Sequence, residues 1–526
     1  MNFLHVTIIL IRLIIENPDG TAVWEMRSVR NRLGDNIVSA NPIPFLATER
    51  WDGKLFLGGW NAAGATRDIV EPGSGALLTR VGMASPKDVA AAAQRARAAQ
   101  AAWVALPYEE RAAIFRKAAA LIERETGVLS DWIVRETGAI PPKAGVELHM
   151  AQGILQEAAA LLTQPSGLIL PSNPGRISMA RRVPHGVVGV ISPFNFPLIL
   201  SIRAVAPALA LGNTVVLKPD PQTPVSGGYL IARLFEEAGL PKDCLQVLPG
   251  GVDAGEALVT DPNVTMISFT GSTQAGRRVG ELAGGHLKKV TLELGGKNRL
   301  IVLDDADVDL AASCAAWGAY LHQGQICMTT GLVLVHEKLA GKLTEILVGK
   351  AQHLPVGDPA SQQVALGPLI SARQRDRVHA IVEDSVKQGA VLRAGGSFDR
   401  LFYQPTVLTG VKPGMRAFDE EVFGPVASVV SFSSDEELVS LANRTEYGLS
   451  LGIISASTSR ALALAERIPT GLLHINDQTV ADEPHIPFGG RGASGNGGRH
   501  GGPANWEEFT QWQWVTIKDS APRYPF

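Results

Sequence analysis

Residues 266–293 read "MISFTGSTQAGRRVGELAGGHLKKVTLE", and the order of apolar and polar residues in this stretch predicts the fold class. An apolar run at 266–269 is followed by a helix-like stretch that begins at Ser272, and then by a second β-branched run that ends at Glu293. A strand, a helix and a second strand in succession form a βαβ unit with two parallel strands. We therefore predict a parallel sheet that is covered by helices on both faces.

The same alternation extends in both directions. Upstream lie "VVGVIS", "TVVLKP" and "LQVLP", and downstream of Cys327 lie "GLVLVH", "AVLRAGG", "VASVVSF" and "LSLGIIS". Two series of strands in a chain of 526 residues predict two α/β domains, because one hydrophobic core rarely serves a chain of this length. Ligands of such sheets bind beyond the carboxyl ends of the strands, so the residues that follow each run are the candidates for function.

Helices and edge strands complete the predicted elements. "SPKDVAAAAQRARAAQAAW" begins with Ser85 as a capping residue, Pro86 at the first helical position and Asp88 in a box-like start. A second helical pattern, "PYEERAAIFRKAAALIERETGVLSDWIVRETG", is expected to end at Gly138. The stretches "GRISMARRVPHG" and "EEFTQWQWVTIK" alternate like edge strands.

Charge balance favours a small-molecule partner over nucleic acid or a membrane. With 48 basic and 51 acidic residues the net charge is -3, which gives no electrostatic attraction for nucleic acid or an anionic membrane. The apolar run at residues 3–15 is shorter than the ~20 residues that span a bilayer. We expect residues 1–45 to be an N-terminal extension of unknown role, with Met26 as an alternative start.

The cysteines are few and widely spaced. Cys244, Cys314 and Cys327 form no CxxC or Cys/His pattern, which argues against a disulfide framework and a structural zinc site. We therefore expect a cytoplasmic protein without a metal. The string "GRGASG" at 490–495 contains GxGxxG, but it lacks a strand-to-helix context and is not interpreted as a dinucleotide fingerprint.

Several residues at the predicted strand ends can carry chemistry. Asn195 can donate to an oxyanion, Lys218 can hold a ribose or a phosphate, and Glu293 can be a general base. Each has a plain alternative: Asn195 as a turn residue, Lys218 as a solvated lysine, and Cys327 as buried packing. Glu293 is harder to dismiss, because an unpaired buried carboxylate is costly.

Four motifs decide between these alternatives. "FTGSTQAG", "LELGGKN", "GQIC" and "EEVFGPV" occur in an order and spacing that resemble the NAD(P)-dependent aldehyde dehydrogenase superfamily, from about residue 50 to the C-terminus. "PFNFP", "NRTEYGLS", "HIND" and "PFGGRGASG" fall where the other motifs of the family fall. "KPDPQT", "AAWGAYLHQGQIC" and "GGPANWEEFTQWQW" are most similar to the benzaldehyde dehydrogenase branch.

The resemblance implies an α/β, aldehyde dehydrogenase-like fold with two parallel-sheet domains and a small β oligomerisation element. Residues 46–165 and 186–293 would form the dinucleotide-binding domain, and residues 294–504 the catalytic domain. Residues 166–185 and 505–526 would form oligomerisation strands of a homodimer or homotetramer.

The resemblance also assigns roles to the catalytic candidates. Cys327 would attack the aldehyde carbonyl as a thiolate, while its backbone N–H and the Asn195 amide hold the oxyanion. Glu293 would activate the water that hydrolyses the thioester.

The remaining candidates would bind the cofactor. Glu421 would accept hydrogen bonds from the nicotinamide ribose, with Phe423 packed nearby, and Lys218 would meet the adenosine ribose. The segment from Gly271 through Ser272 to Gly276 would face the pyrophosphate.

The sequence departs from the family pattern at three positions. Pro221 replaces a glutamate that favours NAD in many relatives, so we expect NAD as the cofactor with NADP tolerated. Leu332 replaces an arginine, which removes one ion pair, and Ala204 replaces a lysine near Asn195.

The expected substrate is an aromatic aldehyde, with an aliphatic aldehyde or a semialdehyde as the alternative. Ile326, Met328 and Phe488 would suit a flat apolar ring. Arg203 would pair with a neighbouring acid or orient a polar ring substituent, and the pairing is favoured. Transfer of the acyl group to coenzyme A and an inactive scaffold are less favoured, because Glu293 and Cys327 are both present.

Overall fold

The computed structural model describes residues 45–526, so the expectations for residues 1–44 lie outside it. The α-helices of this range, in chain order, are α1 Pro86–Ala105, α2 Tyr108–Arg124, α3 Thr126–Thr137, α4 Pro141–Leu161, α5 Pro197–Ala210, α6 Leu230–Ala238, α7 Val252–Thr260, α8 Thr273–Gly285, α9 Val308–Tyr320, α10 Glu337–His353, α11 Ala372–Lys387, α12 Arg416–Asp419, α13 Asp435–Ala442, α14 Thr458–Ala465 and α15 Ala504–Phe509.

The strands, in chain order, are β1 Lys54–Phe56, β2 Trp60–Ala62, β3 Ala65–Val70, β4 Leu77–Met83, β5 Gly167–Ile169, β6 Arg176–Pro184, β7 Val187–Ile191, β8 Thr214–Lys218, β9 Leu245–Val247, β10 Met266–Thr270, β11 Lys289–Glu293, β12 Asn298–Val302, β13 Thr330–His336, β14 Val391–Ala394, β15 Phe398–Asp399, β16 Phe402–Tyr403, β17 Thr406–Thr409, β18 Val426–Phe432, β19 Tyr447–Gly448, β20 Ser450–Ile454, β21 Leu472–Ile475, β22 Arg491–Gly492 and β23 Thr510–Lys518. Short 3₁₀ turns at Thr48–Arg50 and Leu321–Gly324 and a π-helical turn at Val225–Tyr229 complete the secondary structure.

The first sheet has the strand order β11-β10-β7-β8-β9-β1-β2. Its five predicted strands are parallel, which confirms the βαβ interpretation, and β1 and β2 extend it in antiparallel fashion. The register aligns Thr270 with Glu293 and Ile191 with Lys218. The sheet thus brings the predicted functional residues to one edge, where the carboxyl ends of the parallel strands meet.

The second sheet has the order β14-β17-β18-β13-β12-β20-β21. Its interior strands are parallel, and most of their residues are buried, as their runs of Val, Leu and Ile predict. The run "AVLRAGG" is the exception, because β14 lies at the sheet edge and pairs antiparallel with β17.

The capping prediction for α1 is confirmed. The Ser85 side chain accepts from the backbone of Asp88 while the Asp88 carboxylate accepts from the backbone of Ser85, a reciprocal cap of the kind worth about 1 kcal/mol.

The second predicted helix is two helices, α2 and α3, which meet at Glu125. The hydroxyl of Thr126 donates to the Ile122 carbonyl at 2.8 Å, and such local bonding competes with the helical backbone pattern. The end at Gly138 is as expected, with a left-handed φ of 69°.

A third sheet of three antiparallel strands has the order β23-β6-β5. Strand β23 pairs with β6 from Thr510 opposite Pro184 to Lys518 opposite Arg176. The predicted tail strand starts later than its alternation suggests, because Glu507 and Glu508 belong to helix α15, which spans the expected boundary at 504/505.

Candidate active site

Glu293 is the last residue of β11, at the carboxyl edge of the first sheet. Its side chain is buried, and neither carboxylate oxygen has a hydrogen-bond partner. Burial raises the pKa of Glu293 well above its ordinary value, while the charges of Arg203 and Arg499 oppose this rise. A carboxylate of this kind is a stronger base than glutamate in water.

The segment "GRGASG" helps to hold Glu293, although it is no dinucleotide fingerprint. Gly495 pairs with Glu293 in an isolated antiparallel bridge, and the backbone N–H of Leu294 donates to the Ser494 carbonyl at 3.0 Å. Strand β22 within this segment is two residues long and pairs with β19. The segment therefore closes over the end of β11 and fixes the direction of its last residue.

Cys327 lies in a strained loop between α9 and β13. His322 and Gln323 have left-handed φ values of 48° and 56°, which cost about 1–3 kcal/mol each in residues other than glycine. Hydrogen bonds from the Gln323 amide to the carbonyls of Gly138 and Pro368, at 3.0 and 2.9 Å, offset part of this free-energy cost. Long-range contacts thus hold the loop in the conformation that presents Cys327.

The thiol of Cys327 is protonated in the protein alone. Burial raises its pKa to about 12, and the negative charges of Glu421 and Glu293 add to the shift, against Arg203. Cys327 and Glu293 are therefore near enough to influence each other. A reaction at this sulfur needs a base to take its proton, and Glu293 has the raised pKa that suits the task.

Asn195 follows β7 and lies next to the cysteine loop. Its side chain is 3% exposed, and its amide Nδ2 donates to the Gln325 carbonyl at 2.9 Å. An N–H donor fixed beside Cys327 is suited to hold an oxyanion. The structure thus brings Asn195, Glu293 and Cys327 together from three separate elements.

A lysine reaches Asn195 from an unexpected element. Position 204 is a buried alanine, but Nζ of Lys143 on α4 donates to the Asn195 carbonyl at 2.8 Å. Lys143 is ion-paired with Glu147, and Glu147 accepts from the backbone N–H of Leu198 at 3.0 Å at the start of α5. The i, i+4 spacing of lysine and glutamate was the one local signal for this pair.

Glu421 lies beside the "LGGKN" segment that follows Glu293. It accepts from the backbone N–H of Gly296 at 3.0 Å, and burial raises its pKa to about 7. A Cβ on Gly295 would overlap the Glu421 carboxylate, and one on Gly296 would lie 2.6 Å from the Cys327 carbonyl oxygen. Both positions therefore require glycine if Glu421 and Cys327 are to approach the same turn.

Two polar residues that the sequence interpretation missed hold the Glu421 segment. Arg377 donates to the Glu421 carbonyl and Gln374 to the Phe423 carbonyl, each at 2.8 Å. Phe423 has a left-handed φ of 56° and contacts Phe194 edge-on, with ring centres 5.9 Å apart. The local signal for these two residues was the polar stretch "SARQRD" at the start of α11. The carbonyl groups that they bind lie more than forty residues away in the chain, so the stretch alone did not indicate them.

A cavity of about 450 Å³ opens beside these residues. Its lining comprises Arg377, Asp419, Glu420, Glu421, Arg444, Thr445, Glu446 and Tyr447. The volume lies in the range of small-molecule and cofactor sites.

The predicted pyrophosphate segment forms the start of α8. Ser272 is the N-cap, with its hydroxyl accepting from Ala275, and the N–H of Gly271 donates to the Glu293 carbonyl at 3.0 Å. A Cβ on Gly276 would collide with Leu294, so the helix packs closely on the strand end. The N-terminus of this 13-residue helix attracts anions, which fits a pyrophosphate.

Lys218 ends β8 at the same edge. It is 9% exposed, and burial lowers its pKa. The side-chain Cε lies 3.6 Å from the place a Cβ would take at Gly255 on α7, so the lysine lies along this helix.

Arg203 is ion-paired with Asp482, as favoured from the sequence. Its guanidinium also lies over the Phe488 ring, 4.5 Å from the centre, and Phe488 packs with Ile326 and Met328. Nε of Arg203 and Oδ1 of Asp482 are buried without a partner. The pair therefore leaves one free donor and one free acceptor at the apolar wall next to the cysteine loop.

The remaining departure, Leu332, is a buried residue of β13 whose register partner on β12 is Arg299. Leu332 cannot form the ion pair expected of an arginine, and burial lowers the pKa of Arg299 to about 10.

Within residues 45–526, no group of three or more His, Cys, Asp or Glu side chains has the arrangement of a metal site. No helix in the same range is long and apolar enough to cross a membrane.

The chain is similar to known proteins in both sequence and structure. Residues 60–515 match the model of the aldehyde dehydrogenase family. A vanillin dehydrogenase from Amycolatopsis is 58% identical over 92% of this chain and 100% of its own, and a benzaldehyde dehydrogenase [NAD(+)] from Pseudomonas putida is 52% identical over 90% and 98%. The crystal structure of a salicylaldehyde dehydrogenase from Pseudomonas putida, complexed with salicylaldehyde, has a TM-score of 0.87 at 35% identity and covers 90% of this chain and 99% of its own.

Proposed function

Because the chain belongs to the aldehyde dehydrogenase family, we propose that it oxidises an aromatic aldehyde of the benzaldehyde type to the carboxylic acid, with NAD as the hydride acceptor. The observation that carries this proposal is the convergence of Cys327, Asn195 and Glu293 at one end of the first sheet. The identity of 52–58% to dehydrogenases named for benzaldehyde and vanillin supports the substrate class.

The chemistry begins at Cys327. Glu293 takes the thiol proton, and the thiolate adds to the aldehyde carbonyl. The Asn195 amide and the backbone N–H of Cys327 donate to the oxygen, where negative charge develops. The raised pKa of Glu293 makes its carboxylate a stronger base both for this proton transfer and for the later activation of water.

The cofactor would be held by residues of both sheets. Glu421 would accept from the nicotinamide ribose, Lys218 would meet the adenosine ribose, and the start of α8 at Gly271 and Ser272 would hold the pyrophosphate. When bound, the nicotinamide accepts a hydride from the adduct on the cysteine. The thioester that remains on Cys327 is hydrolysed by water that has lost a proton to Glu293.

The substrate wall supports a ring that bears a polar substituent. Phe488, Ile326 and Met328 provide an apolar surface, and the free atoms of Arg203 and Asp482 can donate to and accept from a ring hydroxyl. A salicylaldehyde dehydrogenase and a vanillin dehydrogenase among the similar proteins carry names of such substrates, and a benzaldehyde dehydrogenase carries the name of the unsubstituted ring. We therefore expect the protein to oxidise hydroxylated as well as unsubstituted benzaldehydes.

We also propose that the protein forms a homodimer or homotetramer and that it is cytoplasmic. Apolar side chains of the third sheet are exposed in one chain, with Trp514 at 66% and Ile169 at 78%, which supports edge pairing in a homodimer or homotetramer. All three cysteines are free, which suits the reducing cytoplasm. Light scattering of the purified protein would distinguish the monomer from either assembly.

The test follows absorbance of reduced nicotinamide with benzaldehyde, vanillin and hexanal, with NAD and NADP in separate runs. We expect turnover of both aromatic aldehydes with NAD, slower turnover with NADP, and none in Cys327→Ala. Pro221→Glu should lower the NADP rate selectively, because the carboxylate repels the 2′-phosphate. Turnover of hexanal alone would refute the aromatic substrate, and turnover that requires coenzyme A would refute hydrolysis.

A further inference from the structure

A second buried carboxylate lies on the same face of β11 as Glu293. Side chains alternate along a strand, so Lys289, Thr291 and Glu293 point to one face. Glu508 of α15 reaches this face, where its Oε2 accepts from the Thr291 hydroxyl at 2.6 Å and its Oε1 from the backbone N–H of Arg499 at 3.2 Å. Glu508 is thus hydrogen-bonded one strand repeat away from Glu293, about 7 Å along the backbone.

The row of side chains continues to the surface. Nζ of Lys289 lies 3.6 Å from Oε2 of Glu508 and donates to the Glu508 carbonyl at 2.7 Å. The Lys289 side chain is 32% exposed, whereas Thr291 is fully buried and Glu508 is 9% exposed. A base, a hydroxyl, a carboxylate and an amine therefore follow one another from the buried end of β11 to solvent.

Close packing leaves no room for other side chains along this row. A Cβ on Gly489 would lie 2.7 Å from Oε1 of Glu293, and one on Gly498 would lie 3.4 Å from Oε1 of Glu508 and 2.5 Å from Cγ2 of Thr291. The two glycines bring the segment from residue 489 to residue 498 onto both carboxylates.

This row of side chains from Glu293 to Lys289 can explain how Glu293 loses the protons that it accepts during catalysis. In each turnover Glu293 takes one proton from the Cys327 thiol and a second from the hydrolytic water, so it must lose the first before it can accept the second, and the second before the next turnover. The carboxylate is 3% exposed and neither oxygen has a hydrogen-bond partner, so it has no direct contact with bulk water. Glu508 is the carboxylate on the same strand face that is linked to a hydroxyl and to the surface.

We propose that Glu508 is a positioning residue for thioester hydrolysis, through which the proton taken by Glu293 leaves along β11. The inference rests on the proposed function. The Glu293 carboxyl, which no hydrogen bond holds in place, turns towards Thr291 when it is protonated and donates to the Thr291 hydroxyl, which passes its own proton to Glu508. Glu508 releases the proton to water at the Lys289 end, so Glu293 returns to the carboxylate and Thr291 is unchanged.

The charges around Glu293 also make the pH profile informative. Arg203 and Arg499 stabilise its carboxylate, while Glu508 and Asp482 add negative charge. Removal of the Glu508 charge should lower the pKa of Glu293 and shift the acid limb of the kcat profile to lower pH. This shift shows that Glu508 lies close enough to act on the charge of Glu293, whereas accumulation of the acyl-enzyme tests the proton route.

The test compares Glu508→Gln and Thr291→Val with Glu507→Gln, a matched control whose side chain is 65% exposed and paired with Arg182. Samples of the full-length protein with benzaldehyde and NAD are quenched in acid within milliseconds, and the acyl-enzyme is measured by intact mass. We expect both test variants to accumulate acyl-enzyme and to lose about tenfold in kcat, below the ~10²–10⁴-fold that a general base contributes. The control should behave as the wild type.

Three outcomes separate the possibilities. Wild-type turnover without accumulation in both test variants would overturn the proton route. Equal losses of hydride transfer and hydrolysis, without accumulation of the acyl-enzyme and with a lower unfolding midpoint, would assign Glu508 a structural role only and also overturn the proton route. A wild-type protein that oxidises no aldehyde would refute the proposed function itself, and the route with it.

Discussion

Lys143→Met should destabilise the protein and slow catalysis, although Lys143 does not touch the nucleophile. Lys143 and Glu147 are buried to 1% and 0% exposure, and the lysine binds the carbonyl of Asn195. Loss of one partner leaves a buried carboxylate, which typically costs 3–5 kcal/mol. Glu147 keeps hydrogen bonds to Leu198 and Ile199, so we expect about 3 kcal/mol, the lower end of that range.

The catalytic effect has a separate cause. Without Lys143 the Asn195 carbonyl loses its donor, and the amide that faces the oxyanion is held less firmly. A loss of about 1.4 kcal/mol in transition-state stabilisation would lower kcat about tenfold. The double variant Lys143→Met/Glu147→Gln removes both charges, and the glutamine oxygen can still accept from Leu198, so its stability should recover by about 2 kcal/mol.

The assays are urea unfolding followed by tryptophan fluorescence and steady-state oxidation of benzaldehyde. The double variant should regain stability but not kcat, because it still lacks the donor to Asn195. A single variant within about 0.5 kcal/mol of the wild type, or a double variant as unstable as the single one, would refute this account of the buried pair.

Three further predictions concern the cofactor and substrate sides. Gly295→Ala should raise the KM for NAD about tenfold with a smaller effect on kcat, because the added Cβ displaces the Glu421 carboxylate; an unchanged KM would contradict the packing. The pKa of Glu421 is about 7, so its carboxylate becomes protonated as the pH falls through that value, and the KM for NAD measured from pH 8 to pH 6 should rise at the acid end; a flat profile would exclude Glu421 as the ribose ligand. Arg203→Met should reduce kcat/KM for vanillin more than for benzaldehyde, since it removes the free donor, and equal losses for the two aldehydes would argue for a structural role alone.

The elements were predictable because their signals are local. Each short Val- and Ile-rich run became a strand, and Ser85 caps α1 as its sequence indicates. Two predictions about the bounds of elements were inaccurate for physical reasons. The second helix is divided at Glu125, whose φ of -100° and ψ of 12° depart from helical values, and the residues before Thr510 continue as helix α15, where Glu508 bonds to Thr291 of β11.

By itself, the sequence determined the fold class, the types of reactive residue and the order in which they follow the strands, because hydrogen bonding within elements and hydrophobic periodicity act over a few residues. Only the tertiary structure decided the neighbours of those residues. Lys143 meets Asn195 across 52 positions of the chain, Arg203 meets Asp482 across 279, and Glu508 meets Thr291 across 217. Such pairs depend on sheet order and register, which are set by how the buried faces of distant elements pack together rather than by any local pattern.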